Sequence, residues 1–218
     1  MNETTSVSKK KSVLSSAVST ADMAVIALST AMITVCAWIS IPTVVPFTLQ
    51  TFAMFMAGGL LGAKKGTLSV IVYLAIGLAG LPVFAQFSGG PGVLFGITGG
   101  YMIGFVFTAL TVGLMCDKLG RKLWALAVSM VLGLAVCYIF GTAWYLAVVY
   151  GTEINIEKIL SAISLCIVPY LPFDALKIAL AAILVNRIAP LMPKALSRRA
   201  SGKQTSADSD TYEEKQSP

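Results

Sequence analysis

The stretch LWALAVSMVLGLAVCYIFGTAWYLAVVY, residues 123–150, decides the fold. It runs for 28 residues without a charge. As a helix it would reach about 42 Å, more than the roughly 30 Å hydrocarbon core of a bilayer, so it must tilt or protrude. Lys118, Arg121 and Lys122 precede it, and the next charge after it is Glu153. Further apolar runs lie outward on both sides, at 23–41, 47–62, 67–81, 97–116 and 173–190. A shorter run at 159–168 is too brief to cross, and Pro169 and Pro172 separate it from the last span. These runs are long and do not alternate, which favours helices over a barrel. The chain therefore reads as an all-α integral membrane protein with six transmembrane helices.

Composition agrees. Hydrophobic residues make up 56% of the 218 and charged residues 12%, against about 25% charged in soluble domains. Basic residues set the orientation. With the N-terminus inside, Lys9, Lys10, Lys11, Lys64, Lys65, Lys118, Arg121, Lys122, Arg187, Lys194, Arg198, Arg199, Lys203 and Lys215 fall on the cytoplasmic side. Lys158 alone falls outside, and Lys177 lies within a span. The positive-inside rule thus predicts both termini in the cytoplasm. Residues 1–20 form a cytoplasmic segment, 21–193 the six-helix domain, and 194–218 a polar tail expected to be disordered. The apolar run after the polar start is too long for a signal peptide core, so none is expected.

Several function classes are excluded. There is no histidine, which removes imidazole metal sites and histidine-based triads. Cys36, Cys116, Cys137 and Cys166 are scattered singly, so no metal or disulfide framework is read. No cofactor motif is present. The net charge of +6 sits where topology would place it, so nucleic-acid binding is not implied. There is no Walker motif, so the chain cannot hydrolyse ATP itself.

Two ionisable residues inside a span are functional candidates, because burying charge in a membrane is costly. Asp174 and Lys177 are three apart and share a helical face. An internal salt bridge, or an N-capping role for Asp174 after Pro172, are the structural alternatives. Two uncharged loops flank the outer half: PTVVPFTLQ at 42–50, followed by Thr51, and the glycine-rich PVFAQFSGGPGVLFGITGG at 82–100, with Gln86 and Ser88. Such loops suit a lid over an uncharged ligand body. Gly99 opens a helix, so backbone N–H groups there could receive an anion. Ala27 and Ala31, one turn apart on the first helix, form small-xxx-small spacing for close helix approach.

Five stretches carry a family resemblance: IALSTAMITVCAWISIP (26–42), VPFTLQTFAMFMAGGLLGAKKG (45–66), GLAGLPVFAQFSGGPG (77–92), GITGGYMIGF (96–105) and VPYLPFDALK (168–177). In this order they resemble the biotin-specific S components of energy-coupling-factor transporters, the BioY family. The resemblance implies a prokaryotic plasma-membrane subunit for high-affinity biotin uptake. It implies partnership with a transmembrane coupling subunit and two cytoplasmic ATPases. It matches Asp174 and Lys177 to the family's binding acid and lysine, and Ala27 and Ala31 to its docking face. For a biotin ligand, Asp174 would accept ureido N–H groups. Lys177 or backbone N–H groups near Gly99 would meet the carboxylate, and Gln86 could donate or accept. Phe84, Phe87, Tyr101, Trp144 and Tyr145 are candidates for the apolar walls. An S component or solitary carrier for thiamin or riboflavin, and a membrane enzyme using Asp174 and Lys177 as acid and base, are the rival readings.

Overall fold

The computed structural model describes residues 20–43 and 45–192. The expectations for the N-terminal segment, apart from Thr20, and for the tail lie outside the described residues. Helix α1 spans Thr20–Trp38, α2 Gln50–Leu78, α3 Pro91–Leu94, α4 Gly99–Leu119, α5 Leu123–Tyr150, α6 Ile156–Cys166 and α7 Leu171–Ile188. The span beginning at Leu123 has the bounds the sequence predicts. The first is three residues earlier than expected at both ends. Between α1 and α2, Ser40–Ile41 and Phe47–Thr48 form a two-stranded antiparallel ladder where sequence suggested an irregular loop.

Four helices are long and apolar enough to cross a membrane: α1, α2, α4 and α5. A fifth candidate joins α6 to Leu171–Leu191 across a 49° bend. Alone, α7 is less apolar because Asp174, Lys177 and Arg187 lie within its 18 residues.

Helix α2 is not one straight rod. Gly62, with φ 74° and ψ −176°, breaks it, in a backbone region that glycine enters without penalty. Gln50 Nε2 donates to the Tyr73 hydroxyl at 2.7 Å. Along a continuous helix, 23 residues would hold these groups about 34 Å apart. Residues 50–61 and 63–78 therefore fold back on each other as a hairpin.

That reversal strands backbone groups, and in lipid each must find a partner. Arg121 donates from Nε to the Gly59 carbonyl at 2.7 Å and from Nη2 to the Leu60 carbonyl at 3.2 Å. Asp117 Oδ2 accepts the Ala63 N–H at 3.0 Å, placing a negative charge at the start of the second limb. At the same end Lys65 pairs with Asp22 at 2.7 Å, and Asn186 Nδ2 donates to the Arg121 carbonyl at 2.9 Å.

Between the ends, two apolar clusters form the core. One centres on Ile33, Met54, Tyr73, Phe84 and Phe105. The other centres on Phe55, Val112, Met130 and Val185. Helix contacts are tightened by short polar side chains. Thr108 Oγ1 donates to the Gly133 carbonyl at 2.9 Å, and Thr30 Oγ1 to the Ser69 carbonyl at 3.1 Å. Such bonds replace the hydrophobic driving force that lipid cannot supply. Leu28, Trp124, Val131 and Ile139 are exposed around the outside, as a lipid-facing shell requires.

Candidate functional site

The end opposite Gly62 holds a cavity of about 170 Å³ between α2, α4, α5 and α7. That is roughly ten times the space one water needs. Its walls include Thr51 from α2, Tyr101, Met102 and Phe105 from α4, Tyr138 from α5, and Asp174 and Lys177 from α7. The loop residues Val45, Pro46, Gln86 and Ser88 close it from the side.

Asp174 and Lys177 lie one turn apart, and their side chains are 4% and 7% exposed. Lys177 Nζ donates to Asp174 Oδ1 at 2.9 Å and to Thr51 Oγ1 at 3.2 Å. Thr51 Oγ1 donates to the same Oδ1 at 3.3 Å. The Tyr138 hydroxyl donates a hydrogen bond to Asp174 Oδ2. The ammonium also sits 4.3 Å from the centre of the Phe47 ring, a cation–π contact. The capping alternative for Asp174 does not apply: α7 has no side-chain cap. The salt bridge forms, but it faces the cavity and is not sealed in the core.

A second, neutral network stands on the α2 side. Thr48 Oγ1 donates to Gln50 Oε1 at 2.9 Å and accepts the Gln50 N–H at 3.2 Å. Gln50 Nε2 then reaches Tyr73. Tyr73 packs edge-on against Phe84 with ring centres 5.5 Å apart.

The lid over the cavity is anchored from outside. Trp38 donates its indole N–H to the Pro82 carbonyl at 2.9 Å and stacks on Phe87 at 5.1 Å. Gln86 and Phe87 have φ of 57° and 55°. Two successive non-glycine residues in this region mark local backbone strain, which concentrates at functional sites.

The structure separates the predicted site residues into two sets. Asp174, Lys177, Gln86 and Tyr101 line the cavity. Phe84, Gly99 and Trp144 do not line it. Phe84 is fully buried behind the wall, against Tyr73. The Gly99 N–H, a candidate anion receiver, donates to the Gly96 carbonyl at 3.0 Å. Trp144 donates its indole N–H to that same carbonyl at 2.9 Å and so fixes the loop. Phe87 is exposed at 63% and Tyr145 packs against Tyr150; neither lines the cavity. Tyr138 was missed. It is one hydroxyl in a long apolar run, and nothing local distinguishes it from an interfacial tyrosine. Thr48, Gln50 and Thr51 lie in or beside the uncharged 42–50 loop, and nothing in that stretch alone assigns them to the site.

Ala27 and Ala31 are exposed on α1. They line an open, largely apolar groove with Val35, Trp38, Val72 and Ile76.

A largely apolar cavity with a few convergent polar groups, at one end of an apolar helical bundle, is the layout of a multi-pass membrane protein with a small-molecule site. Comparison with known proteins narrows this class. A model described as the BioY family matches residues 7–194. The "Biotin transporter BioY" of Thermotoga maritima is 44% identical over 163 residues, 74% of this chain and 92% of that protein. The "Probable biotin transporter BioY" of Pyrococcus horikoshii is 38% identical over 168 residues, 77% of this chain and 95% of that protein. A crystal structure of "the S-component for biotin from an ECF-type ABC transporter" superposes with a TM-score of 0.70 at 29% identity. The match covers 82% of this chain and 95% of that one. The chain belongs to the BioY family.

Proposed function

We propose that this chain is a biotin-binding S component: a membrane subunit that captures biotin and is energised by partners. The observation that carries the reading is the buried Asp174–Lys177 pair opening onto a cavity with both donors and acceptors. Biotin presents two ureido N–H donors, one carbonyl acceptor, an apolar bicycle and a carboxylate. Asp174 accepts from the ureido ring, and charge assistance strengthens that bond. Lys177 donates to the carbonyl or to the carboxylate. Gln86 and Tyr101 bound the ligand directly, while Phe84, Gly99 and Trp144 support the wall from behind. The family names favour biotin over thiamin or riboflavin, and the subunit is a transporter component, not an enzyme.

We infer six membrane crossings, with both termini cytoplasmic. The hairpin at Gly62 turns one long helix into two crossings. Trp38 meets Pro82 at the cavity end, while Asp22, Lys65, Arg121 and Asn186 gather at the other. A chain alternating between these ends makes six passes with its basic turns on one side. Residues 21–193 then form the vitamin-binding domain. The groove over Ala27 and Ala31 accepts a transmembrane coupling subunit, which in turn carries two cytoplasmic ATPases.

Calorimetric titration of the detergent-purified chain with biotin, riboflavin and thiamin tests the ligand. Heat with biotin alone is expected, and tighter binding of either other vitamin would reject the assignment. For topology, a cysteine at Glu153 should react with an impermeant thiol reagent on whole cells. One at Lys122 should react only after permeabilisation. The reverse pattern rejects six crossings.

A further inference from the structure

Three tyrosines and one carboxylate line the cavity: Tyr101, Tyr138, Tyr170 and Asp174. Two of the hydroxyls are occupied with wall residues. Tyr101 bonds Thr142 at 3.3 Å, and Tyr170 donates to the Val45 carbonyl. Tyr138 alone directs its proton to the carboxylate.

The lone pairs on Asp174 can be counted. A carboxylate has about four acceptor sites, two on each oxygen. Oδ1 already accepts from Lys177 and Thr51. Oδ2 accepts from Tyr138. The acceptor site that is left belongs to Oδ2, beside the phenol. Because the Tyr138 proton points at Asp174, the phenol oxygen offers only lone pairs to any other partner. Oδ2 and the Tyr138 oxygen thus form an edge of two acceptors with no free donor. Across the carboxylate, Lys177 supplies donors only.

We propose that Tyr138 is the positioning and specificity-determining residue of this site. It locks the Asp174 carboxylate and makes the α5 side of the cavity an acceptor-only edge that selects a ligand with N–H donors. The inference rests on the biotin reading given above and deepens it. A carbonyl or ether oxygen placed against this edge would face two lone-pair-bearing oxygens. Leaving buried polar groups so mismatched is how sites reject near-isosteric ligands.

The test uses the full chain in detergent and calorimetry with two kinds of ligand. One is biotin. The others are its two cyclic carbamate analogues, in which one or the other ureido N–H is replaced by oxygen. Tyr138→Phe removes only the hydroxyl. It is expected to weaken biotin by about ten-fold, the scale of one charge-assisted hydrogen bond. It should also lower the preference for biotin over at least one carbamate by a similar factor. In an Asp174→Asn background the same change should cost less than about two-fold, because coupled residues do not add. A purely structural Tyr138 would weaken all three ligands alike and add in full to Asp174→Asn, and either result overturns the proposal. Should Tyr138→Phe not yield a folded, monodisperse chain, Tyr138→Gln carries the test. It keeps one N–H for Oδ2 but adds a second N–H to the edge, so the preference for biotin over at least one carbamate should fall while biotin still binds; an unchanged preference overturns the proposal. If the wild-type chain binds no biotin, the functional reading falls and this inference with it. If wild type binds and Tyr138→Phe matches it, this inference alone falls.

Discussion

The two ends of the bundle each hold an acid and a base close together in sequence, and they use them differently. Asp117 and Arg121, four residues apart, address the backbone of the Gly62 reversal, meeting the Ala63 N–H and the Gly59 and Leu60 carbonyls. Asp174 and Lys177, three apart, bond to each other, to Thr51 and to Tyr138, beside a cavity. The first cluster completes hydrogen bonds that folding leaves open. The second keeps spare acceptor and donor capacity next to an opening. The charge types are the same in both cases. What differs is whether a backbone end or a void lies alongside.

The largest expected effect separates the two ends by affinity. Asp174→Asn keeps the shape, removes the charge and turns one acceptor into a donor. It should weaken biotin by about 1.5–3 kcal/mol, or roughly ten- to a hundred-fold. Lys177→Met should act similarly. A biotin amide tells which part of the ligand the lysine serves. If Lys177 holds the carboxylate, wild type prefers the acid and Lys177→Met hardly distinguishes the two. If it serves the ureido ring, the mutant loses affinity for both ligands equally. Unchanged binding in folded Asp174→Asn and Lys177→Met chains would reduce the pair to a structural salt bridge.

At the Gly62 end the expectation is inverted. Arg121→Gln or Asp117→Asn leaves backbone groups less well bonded and should cost about 1–3 kcal/mol of stability. Thermal unfolding of the detergent-purified chain reads this directly. Biotin affinity, corrected for folded fraction, should stay within about two-fold. A ten-fold affinity loss here would break the contrast between the ends.

The smallest effect on ligand affinity is expected at the groove. Ala31→Trp places a large side chain on an exposed face of α1. It should leave calorimetric biotin binding unchanged and reduce co-purification with the coupling subunit, because bulk keeps two helices apart. Full assembly with both Ala27→Trp and Ala31→Trp would remove the groove from the interface.

The chain's membrane character was legible without coordinates, and so were its helix limits to within about four residues. A charge-free run such as 123–150 has no alternative in water or in lipid, and hydropathy alone settles it. Asp174 and Lys177 stood out for the same reason, since ionisable residues are costly inside a span. The rest depended on contacts distant in sequence. The runs 47–62 and 67–81 were separable in sequence, but that one helix breaks at Gly62 and folds back rests on Gln50 meeting Tyr73. Tyr138 becomes part of the site only because α5 crosses α7 at Asp174. Gly99 and Trp144 carried plausible chemistry, yet both are held by the Gly96 carbonyl and stand behind the wall. Sequence by itself determined that the chain is a multi-pass membrane protein and which residues are too polar to lie in an apolar run without a purpose, because those are transfer costs of single side chains. Tertiary structure alone decided which of those residues share a cavity, because a hydrogen bond forms or not over tenths of an ångström between residues such as Thr51 and Lys177, 126 apart in the chain.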